Sequence, residues 1–373
     1  MTPVFCCGFE CGVLSTVDLE QHVFIVGSVA FTTSTKRSGA RALRVNPTVG
    51  FAYGYVGLNL GNVSIVVMRA YVNVTSNPIV SSGILGFQDN AGSTQAGLAY
   101  DTVSGQYFAG FDDGATVTKG STGVTLSAGW HLIDVKVDVS ANPWKCDVQV
   151  DGTALGQASL AAAASTCDPA IFCGNYLAGI ETFDVTYDDC LVSKTAGDYP
   201  LGAGYVNHFV PTSDGTHNIA GANDFERGDT GTDIINSTTD AYLLIDEVPL
   251  PSGTVNEADC QRAVDPISTD YVECVFGPAP GISTPTVGPR AVEAVLAYHQ
   301  AGTGPGIERV FLNDNGTTGE ILDTGTAAGV TTYRYKSAQF ADPPSAASAW
   351  TVVAGNGNFN TRANVKARGR KVA

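Results

Sequence analysis

The sequence predicts an all-β protein built from two antiparallel β-sandwiches in tandem. Three observations lead to this fold class. Glycine is abundant, at 43 of 373 residues, and charged residues make up only 15% of the chain. Few segments carry the apolar stripe of an amphipathic helix, which repeats about every 3.6 residues. Several segments instead alternate apolar and polar residues with a period of two, as half-buried strands do.

The clearest alternation belongs to a predicted hairpin near the middle of the first half. Residues 133–139 place aliphatic side chains on one face and Asp134 and Lys136 on the other. Pro143 interrupts the pattern, because proline has no N–H group for a ladder hydrogen bond. Alternation resumes over residues 146–150 and ends in an Asp-Gly turn. The sequence therefore predicts an antiparallel hairpin with one face on a core.

Apolar runs of β-forming residues, bounded by turn residues, and some further alternation predict the other strands. In the first half they fall at residues 23–33, 41–45, 63–74, 83–89, 96–101 and 106–112. In the second half they fall at residues 205–211, 241–248, 271–276, 291–300, 306–313, 331–336 and 349–354. The alanine-rich residues 160–165 favour a short helix.

Proline and glycine follow the last strand of the first half, as expected of a domain boundary. We therefore predict four parts: a first sandwich (1–197), a linker (198–204), a second sandwich (205–361) and a basic C-terminal tail (362–373).

The formal net charge of −16 disfavours nucleic acid as a partner. The sequence contains no apolar run long enough to cross a bilayer, so we expect no membrane partner. The first residues, MTPVFCCGFECG, lack the basic and apolar regions of a signal peptide. We therefore expect synthesis in a cytoplasm without secretion by a signal peptide.

The nine cysteines are odd in number and irregular in spacing, which does not indicate a disulfide framework. A zinc site is disfavoured because no CxxC pair recurs and histidines are few. We expect mostly reduced, buried thiols and no cofactor apart from the calcium ion considered below.

The sequence also lacks the usual signatures of hydrolases. Two carboxylates facing one cleft would be needed for glycoside hydrolysis, and Glu181 and Asp184 have the wrong spacing for that. Asp188 and Asp189 are adjacent, so they would face opposite sides of a strand. No G-x-S-x-G segment occurs, and the five histidines lie far apart. These observations predict a protein that is not an enzyme.

Three segments resemble concanavalin A-like jelly rolls, in particular the laminin-G-like group. They are the hairpin that starts with Trp-His and ends with Val-Asp-Gly, the aspartate-rich strand FDVTYDDCLV, and the pair GFE and RSGARALRV near the N-terminus. The resemblance implies a jelly-roll fold for the first sandwich. It also implies a candidate calcium site at Glu10, Asp188 and Asp189. Trp130 and Trp144 are the candidates for stacking against a sugar.

The second half resembles a segment behind jelly rolls in virion proteins of tailed bacteriophages. The similarity lies in YVNHFVPTSDG, IDEVP and FADP followed by AWT. It implies a non-enzymatic structural protein on the exterior of the particle, as a capsid decoration or tail component. Its partners would then be other virion proteins and copies of itself, and its location the virion. The alternative is a carbohydrate-binding module that adheres to host-surface glycans, and a glycoside hydrolase is less favoured.

The C-terminal tail carries five basic residues on an otherwise acidic chain: Arg362, Lys366, Arg368, Arg370 and Lys371. Two interpretations remain open. The tail is either a solvated chain end or an arm that docks on an acidic neighbour.

Overall fold

The computed structural model confirms the all-β fold class, with antiparallel pairing throughout its sheets. It describes residues 3–7, 9, 23–47, 54–58, 60–167, 170–175, 182–204, 206, 211–221, 224–244, 261–263, 272–276, 292–298, 307–314, 317–320, 334–340 and 365–372. The chain divides into two compact units, one formed by Met1–Thr16 with Gln21–Asn207 and the other by Val17–Glu20 with His208–Ala373.

The first unit contains β1 (Pro3–Cys7), β2 (Val23–Gly27), β3 (Val29–Thr32), β4 (Ala42–Val45), β5 (Gly54–Leu58), β6 (Ile65–Ser76), β7 (Ser82–Gln88), β8 (Gln95–Asp101), β9 (Gln106–Asp112), β10 (Val117–Lys119), β11 (Trp130–Asp138), β12 (Trp144–Val150), β13 (Thr153–Ala154), β14 (Ala158–Leu160), β15 (Ala170–Asn175), β16 (Asp184–Ser193) and a 3-10 helix (Ala196–Asp198).

The second unit contains β17 (Pro211–Asp214), β18 (Phe225–Arg227), a 3-10 helix (Ala241–Leu244), β19 (Gln261–Ala263), β20 (Val272–Phe276), β21 (Val292–Tyr298), β22 (Ile307–Asp314), β23 (Thr317–Glu320), β24 (Arg334–Phe340) and β25 (Val365–Val372).

The first unit is a sandwich around one apolar core. Its larger sheet has the order β13-β12-β11-β6-β16-β4-β3, with β1 added to β16 and β14 to β12, and a second sheet has the order β10-β9-β8-β7. Alternate residues of the larger sheet point into the core, among them Met68, Val135 and Tyr187, all fully buried. The Tyr187 hydroxyl donates to the Ile84 carbonyl on the second sheet at 2.7 Å. Tyr187 therefore joins the two layers across the core.

The predicted hairpin forms as β11 and β12, in a register that pairs Ile133 with Val150 and Val137 with Cys146. These four side chains are buried in the core. Strict alternation over both strands specifies which face is buried, because a slip of one residue would turn every apolar side chain to the outer face. The hairpin could therefore be predicted from local sequence.

The C-terminal residues correct the expectation of a separate tail. They form β25, which lies between β20 and β22 in a sheet with the order β17-β20-β25-β22-β23. Lys366, Arg368, Arg370 and Lys371 are strand residues, and Arg368 pairs in register with Glu273. In VKARGRKV the residues Val365, Ala367 and Gly369 alternate with basic residues, so the segment has a period of two. Glycine and the basic side chains conceal this period, because they are not the large apolar residues by which a strand is usually recognised. Arg362 lies outside the described residues.

Two further local predictions are also corrected. Residues 241–244 form a 3-10 helix where a strand was expected, because both oxygens of Asp214 accept backbone N–H groups, those of Ala241 and Tyr242, at 2.9 Å. The alanine-rich segment follows the short strand β14 and forms no helix. The predicted strand at 349–354 lies outside the described residues. Within the described residues, no helix is long and apolar enough to span a membrane.

Candidate functional site

The outer face of the larger sheet, opposite the core, carries an aligned set of polar and aromatic side chains. Trp130 on β11 pairs in register with Asn73 on β6, and Asn73 pairs with Thr186 on β16. Thr186 in turn pairs with Arg44 on β4. We call these four residues the outer row. Neighbouring strands lie about 4.8 Å apart, so the row spans roughly 14 Å across the sheet.

The outer row consists of an indole, an amide, a hydroxyl and a guanidinium. Trp130 and Asn73 are half-buried, Thr186 is buried and Arg44 is exposed. Arg44 donates from Nε and Nη2 to the two oxygens of Asp184, at 2.8 and 2.5 Å. This hydrogen-bonded carboxylate raises the pKa of Arg44 and balances its charge. The row therefore offers hydrogen-bonding groups without net charge.

Trp144, the other predicted stacking residue, belongs to the core. It is only 6% exposed, and its Nε1–H donates to the Ala163 carbonyl at 2.7 Å. Its ring centroid lies 6.4 Å from that of Phe111. Trp144 begins β12 on the inward face, so it cannot stack against a sugar. Of the two tryptophans predicted to stack against a sugar, Trp130 therefore lies on the outer face and Trp144 lies in the core.

The predicted calcium ligands Asp188 and Asp189 do lie side by side, but protein groups occupy both. Asp188 accepts the N–H groups of Arg37, Ser38 and Asp189, at 2.8, 3.2 and 2.8 Å. Asp189 accepts from the Arg37 guanidinium and from the Ser38 hydroxyl. We call this arrangement the aspartate clasp. It joins the segments RSGARALRV and FDVTYDDCLV, which carried the jelly-roll resemblance.

The clasp does not fit a calcium site. Arg37 supplies the positive charge that a cation would supply, and backbone amides fill the remaining acceptor positions. No group of three or more His, Cys, Asp or Glu side chains suited to a metal occurs in the part of the chain that is described. The third candidate, Glu10, lies outside that part. Burial and then the neighbouring Asp189 raise the pKa of Asp188 to about 7.

The segment predicted as a linker packs on the other half of the outer face. We call residues 199–204 with 206 the strap. Asp134 Oδ1 accepts the N–H groups of Leu201 and Gly202 at 2.9 and 3.2 Å. Arg37 Nη1 donates to the Gly204 carbonyl at 2.9 Å, and Asp189 Oδ1 accepts the Val206 N–H at 2.6 Å. Buried charges therefore hold the strap mainly through its backbone.

A serine, a histidine and an aspartate meet at the end of the β11–β12 hairpin. His131 Nδ1 lies 2.7 Å from Asp151 Oδ2, and Nε2 lies 3.3 Å from Ser127 Oγ. The same Nε2 is 3.1 Å from the Ser127 carbonyl, which can only accept a hydrogen bond. Asp151 also accepts the Leu132 N–H at 2.8 Å. These contacts join Ser127, His131 and Asp151 at the end of the hairpin where β11 begins and β12 ends.

A buried histidine, His217, lies in the second unit. His217 Nδ1 accepts the Glu273 N–H at 3.1 Å, and burial lowers the pKa of His217. Its Nε2 lies 3.8 Å from Asp214 Oδ1. His217 thus connects β17 and β20 inside this unit. Histidines 22, 208 and 299 lie outside the described residues.

Sequence analysis missed Asn73, Thr186, Arg44 and Arg37 as members of these sites. Each is an ordinary polar residue on a strand or turn. Arg37 and Asp189 are 152 positions apart in sequence. Only the strand order brings them together, and no local spacing encodes that order.

No family model and no curated protein matches the chain. Among solved structures it is similar to the cellulose-induced protein Cip1, at 16% identity and a TM-score of 0.39 over 51% of this chain and 97% of that one. It is similar to a GH131 β-glucanase catalytic domain from Podospora anserina, at 11% identity and 0.29 over 45% and 79%. It is also similar to a Trypanosoma rangeli sialidase mutant, at 16% and 0.32 over 44% and 27%.

These neighbours overturn two predictions. The three are carbohydrate-related by name, and none is a virion protein, so the expected role as a phage structural protein is wrong. The prediction that the protein is not an enzyme is corrected as well, because a sialidase and a glucanase catalytic domain are among the fold neighbours and this fold therefore does not exclude an enzyme. At these identities and TM-scores the similarity extends to the β-sandwich fold alone. A function for this chain has to be argued from its own residues.

Proposed function

We propose that the first unit is a carbohydrate-binding β-sandwich whose outer row binds a neutral glycan. The observation that supports the proposal is the register of four strands, which aligns Trp130, Asn73, Thr186 and Arg44 on one face. The indole is a flat apolar surface with a polar edge, suited to the face of a sugar ring. The amide and guanidinium can bond to hydroxyl groups.

The charges of the site favour a neutral ligand. Asp184 accepts two hydrogen bonds from Arg44, so this guanidinium brings no net positive charge to the row. The whole chain carries a formal charge of −16, which repels anions at long range. Neutral polysaccharides and oligosaccharides therefore match the row better than sialylated or uronic ones.

Binding is tested with the full chain against neutral and anionic oligosaccharides by isothermal titration calorimetry. We expect heat of binding with a neutral member of the panel. Trp130→Ala should weaken that binding by about tenfold or more, which corresponds to roughly 1.4 kcal/mol. Each sample is also assayed for released reducing sugar, so that turnover is recorded beside affinity.

Lys145→Ala is the matched control. Lys145 is exposed on β12 of the same sheet and pairs with Asp138, at the other end of β11 from Trp130. This variant should keep the affinity of the wild type. The proposal is refuted if no neutral glycan binds, or if the two variants bind equally well.

A further inference from the structure

The imidazole of His217 takes the place of a backbone acceptor in the second unit. Strand β17 pairs with β20 as far as Asp214 opposite Cys274, and the Gly215 N–H group then donates to the Glu273 carbonyl at 2.7 Å. Two opposed residues bonded in this way normally exchange two N–H···O bonds. Here the Glu273 N–H group donates instead to His217 Nδ1, at 3.1 Å. The imidazole therefore replaces the Gly215 carbonyl in the ladder.

Residues 215–217 wrap around Glu273. The Thr216 N–H group donates to Glu273 Oε1 at 3.0 Å. A Cβ atom at position 215 would lie 2.5 Å from the same oxygen, so glycine allows this close approach. Glu273 and His217 are both buried, at 0% and 4% exposure. We call residues 215–217 together with Glu273 the imidazole latch, because their hydrogen bonds hold the end of β17 against β20.

The latch is compatible with one protonation state of the imidazole. Because Nδ1 accepts the Glu273 N–H group, the proton of the neutral ring is on Nε2. Nε2 lies 3.8 Å from Asp214 Oδ1, which is beyond hydrogen-bond distance. Protonation at Nδ1 would replace its lone pair by a second N–H group that faces the first. The Glu273 N–H group would then be buried without an acceptor, which is costly.

The groups around His217 act on its charge in opposite directions. The carboxyl groups of Asp214 and Glu273 would attract an imidazolium, and a backbone group of Thr238 also favours the charged ring. Asp214 already accepts two N–H groups of the 3-10 helix, and that helix carries no charged side chain. Burial has the largest effect, and it lowers the pKa of His217. The folded unit therefore favours the neutral ring that the latch requires.

We propose that the imidazole latch is an acid-sensitive switch, in which protonation of His217 releases residues 215–217 from β20. The proton enters at Nδ1 and displaces the hydrogen bond from the Glu273 N–H group. The latch contributes fully to stability above the pKa of an unfolded histidine, about 6.5, and this contribution is lost as pH falls below that value. The raised pKa of Asp188 predicts the opposite for the first unit, which should become more stable as pH falls.

Hydrogen–deuterium exchange of the full chain, measured by mass spectrometry between pH 5.5 and pH 7.5, tests the switch. The rates are corrected for the intrinsic dependence of amide exchange on pH. We expect peptides that cover residues 211–217 and 272–276 to lose protection on acidification. The loss should reach at most about tenfold per pH unit, the limit for uptake of one proton. Peptides of β11 and β12 in the first unit should not lose protection.

A pair of matched variants assigns the response to His217. His217→Asn keeps an acceptor near the position of Nδ1 but does not titrate, so it should keep the protection at pH 7.5 and lose the dependence on pH. His131→Asn, the same substitution in the first unit, should leave the response of the second unit unchanged.

Three results would overturn the proposal. They are protection in the wild type that does not change with pH, a loss spread evenly over the second unit, and a dependence on pH that His217→Asn retains. Since the first two are measured on the wild type, a variant that fails to fold does not remove the test.

Discussion

Replacing Arg37 with alanine should destabilise the first unit far more than the same change at Arg44. Both arginines pair with an aspartate of β16. The Arg37 side chain is 14% exposed and that of its partner Asp189 is 0% exposed, whereas the values for Arg44 and Asp184 are 45% and 11%. Removing one member of a buried pair leaves an uncompensated charge, which costs about 3–5 kcal/mol. An exposed pair contributes about 0–1 kcal/mol.

The Arg37 variant loses more than one ion pair. Arg37 also donates to the strap at the Gly204 carbonyl, and its guanidinium carbon lies 3.3 Å from the centroid of the Tyr71 ring. Arg37→Ala would leave Asp188 and Asp189 adjacent and buried without that cation. We therefore expect a cost near the upper end of the range for buried pairs.

Urea unfolding of both variants measures this difference. Tryptophan fluorescence is a suitable signal, because Trp144 lies in the core of the first unit and should change environment when that unit unfolds. The Arg37 variant should lose several kcal/mol of unfolding free energy, and the Arg44 variant no more than about 1 kcal/mol. Equal losses for the two variants would refute the reasoning that the buried Arg37–Asp189 pair stabilises the first unit more than the more exposed Arg44–Asp184 pair.

Three further predictions concern other parts of the molecule. Burial raises the pKa of Asp188 to about 7, so the protonated carboxyl contributes its full stability below the unfolded pKa, near 4, and this contribution is lost as pH rises through about 7. The urea midpoint of the first unit should therefore fall between pH 5.5 and pH 8.5. Asp188→Asn should reduce this dependence of the midpoint on pH. Leu201 is 4% exposed against Val67 and Leu191, so Leu201→Ala should cost about 2 kcal/mol and speed amide exchange in the strap, and unchanged exchange would contradict this. Deleting residues 362–373 removes β25 from between β20 and β22, so the second unit should lose its cooperative unfolding transition, and retention of that transition would show that β25 is dispensable.

The sequence predicted what depends on local pattern and failed where distant segments decide. Alternation sufficed for β11 and β12. It missed β25, whose glycine and basic residues hide a period of two. The 3-10 helix at Ala241–Leu244 depends on Asp214, a residue far from it in sequence. The outer row depends on strand order, which alternation along one strand does not contain.

The outer face of the larger sheet is divided by the kind of polar group that each half carries. Where Asp134 and Asp189 are buried, the strap covers them and supplies their backbone partners. Burying a charge is costly unless it is paired and hydrogen-bonded, so this half needs a permanent cover from the chain itself. The half with the outer row carries neutral groups and one arginine balanced by Asp184. Such groups tolerate water and can exchange it for the hydroxyl groups of a ligand. Because the strap covers the half of this face with Asp134 and Asp189, a ligand would bind at the outer row.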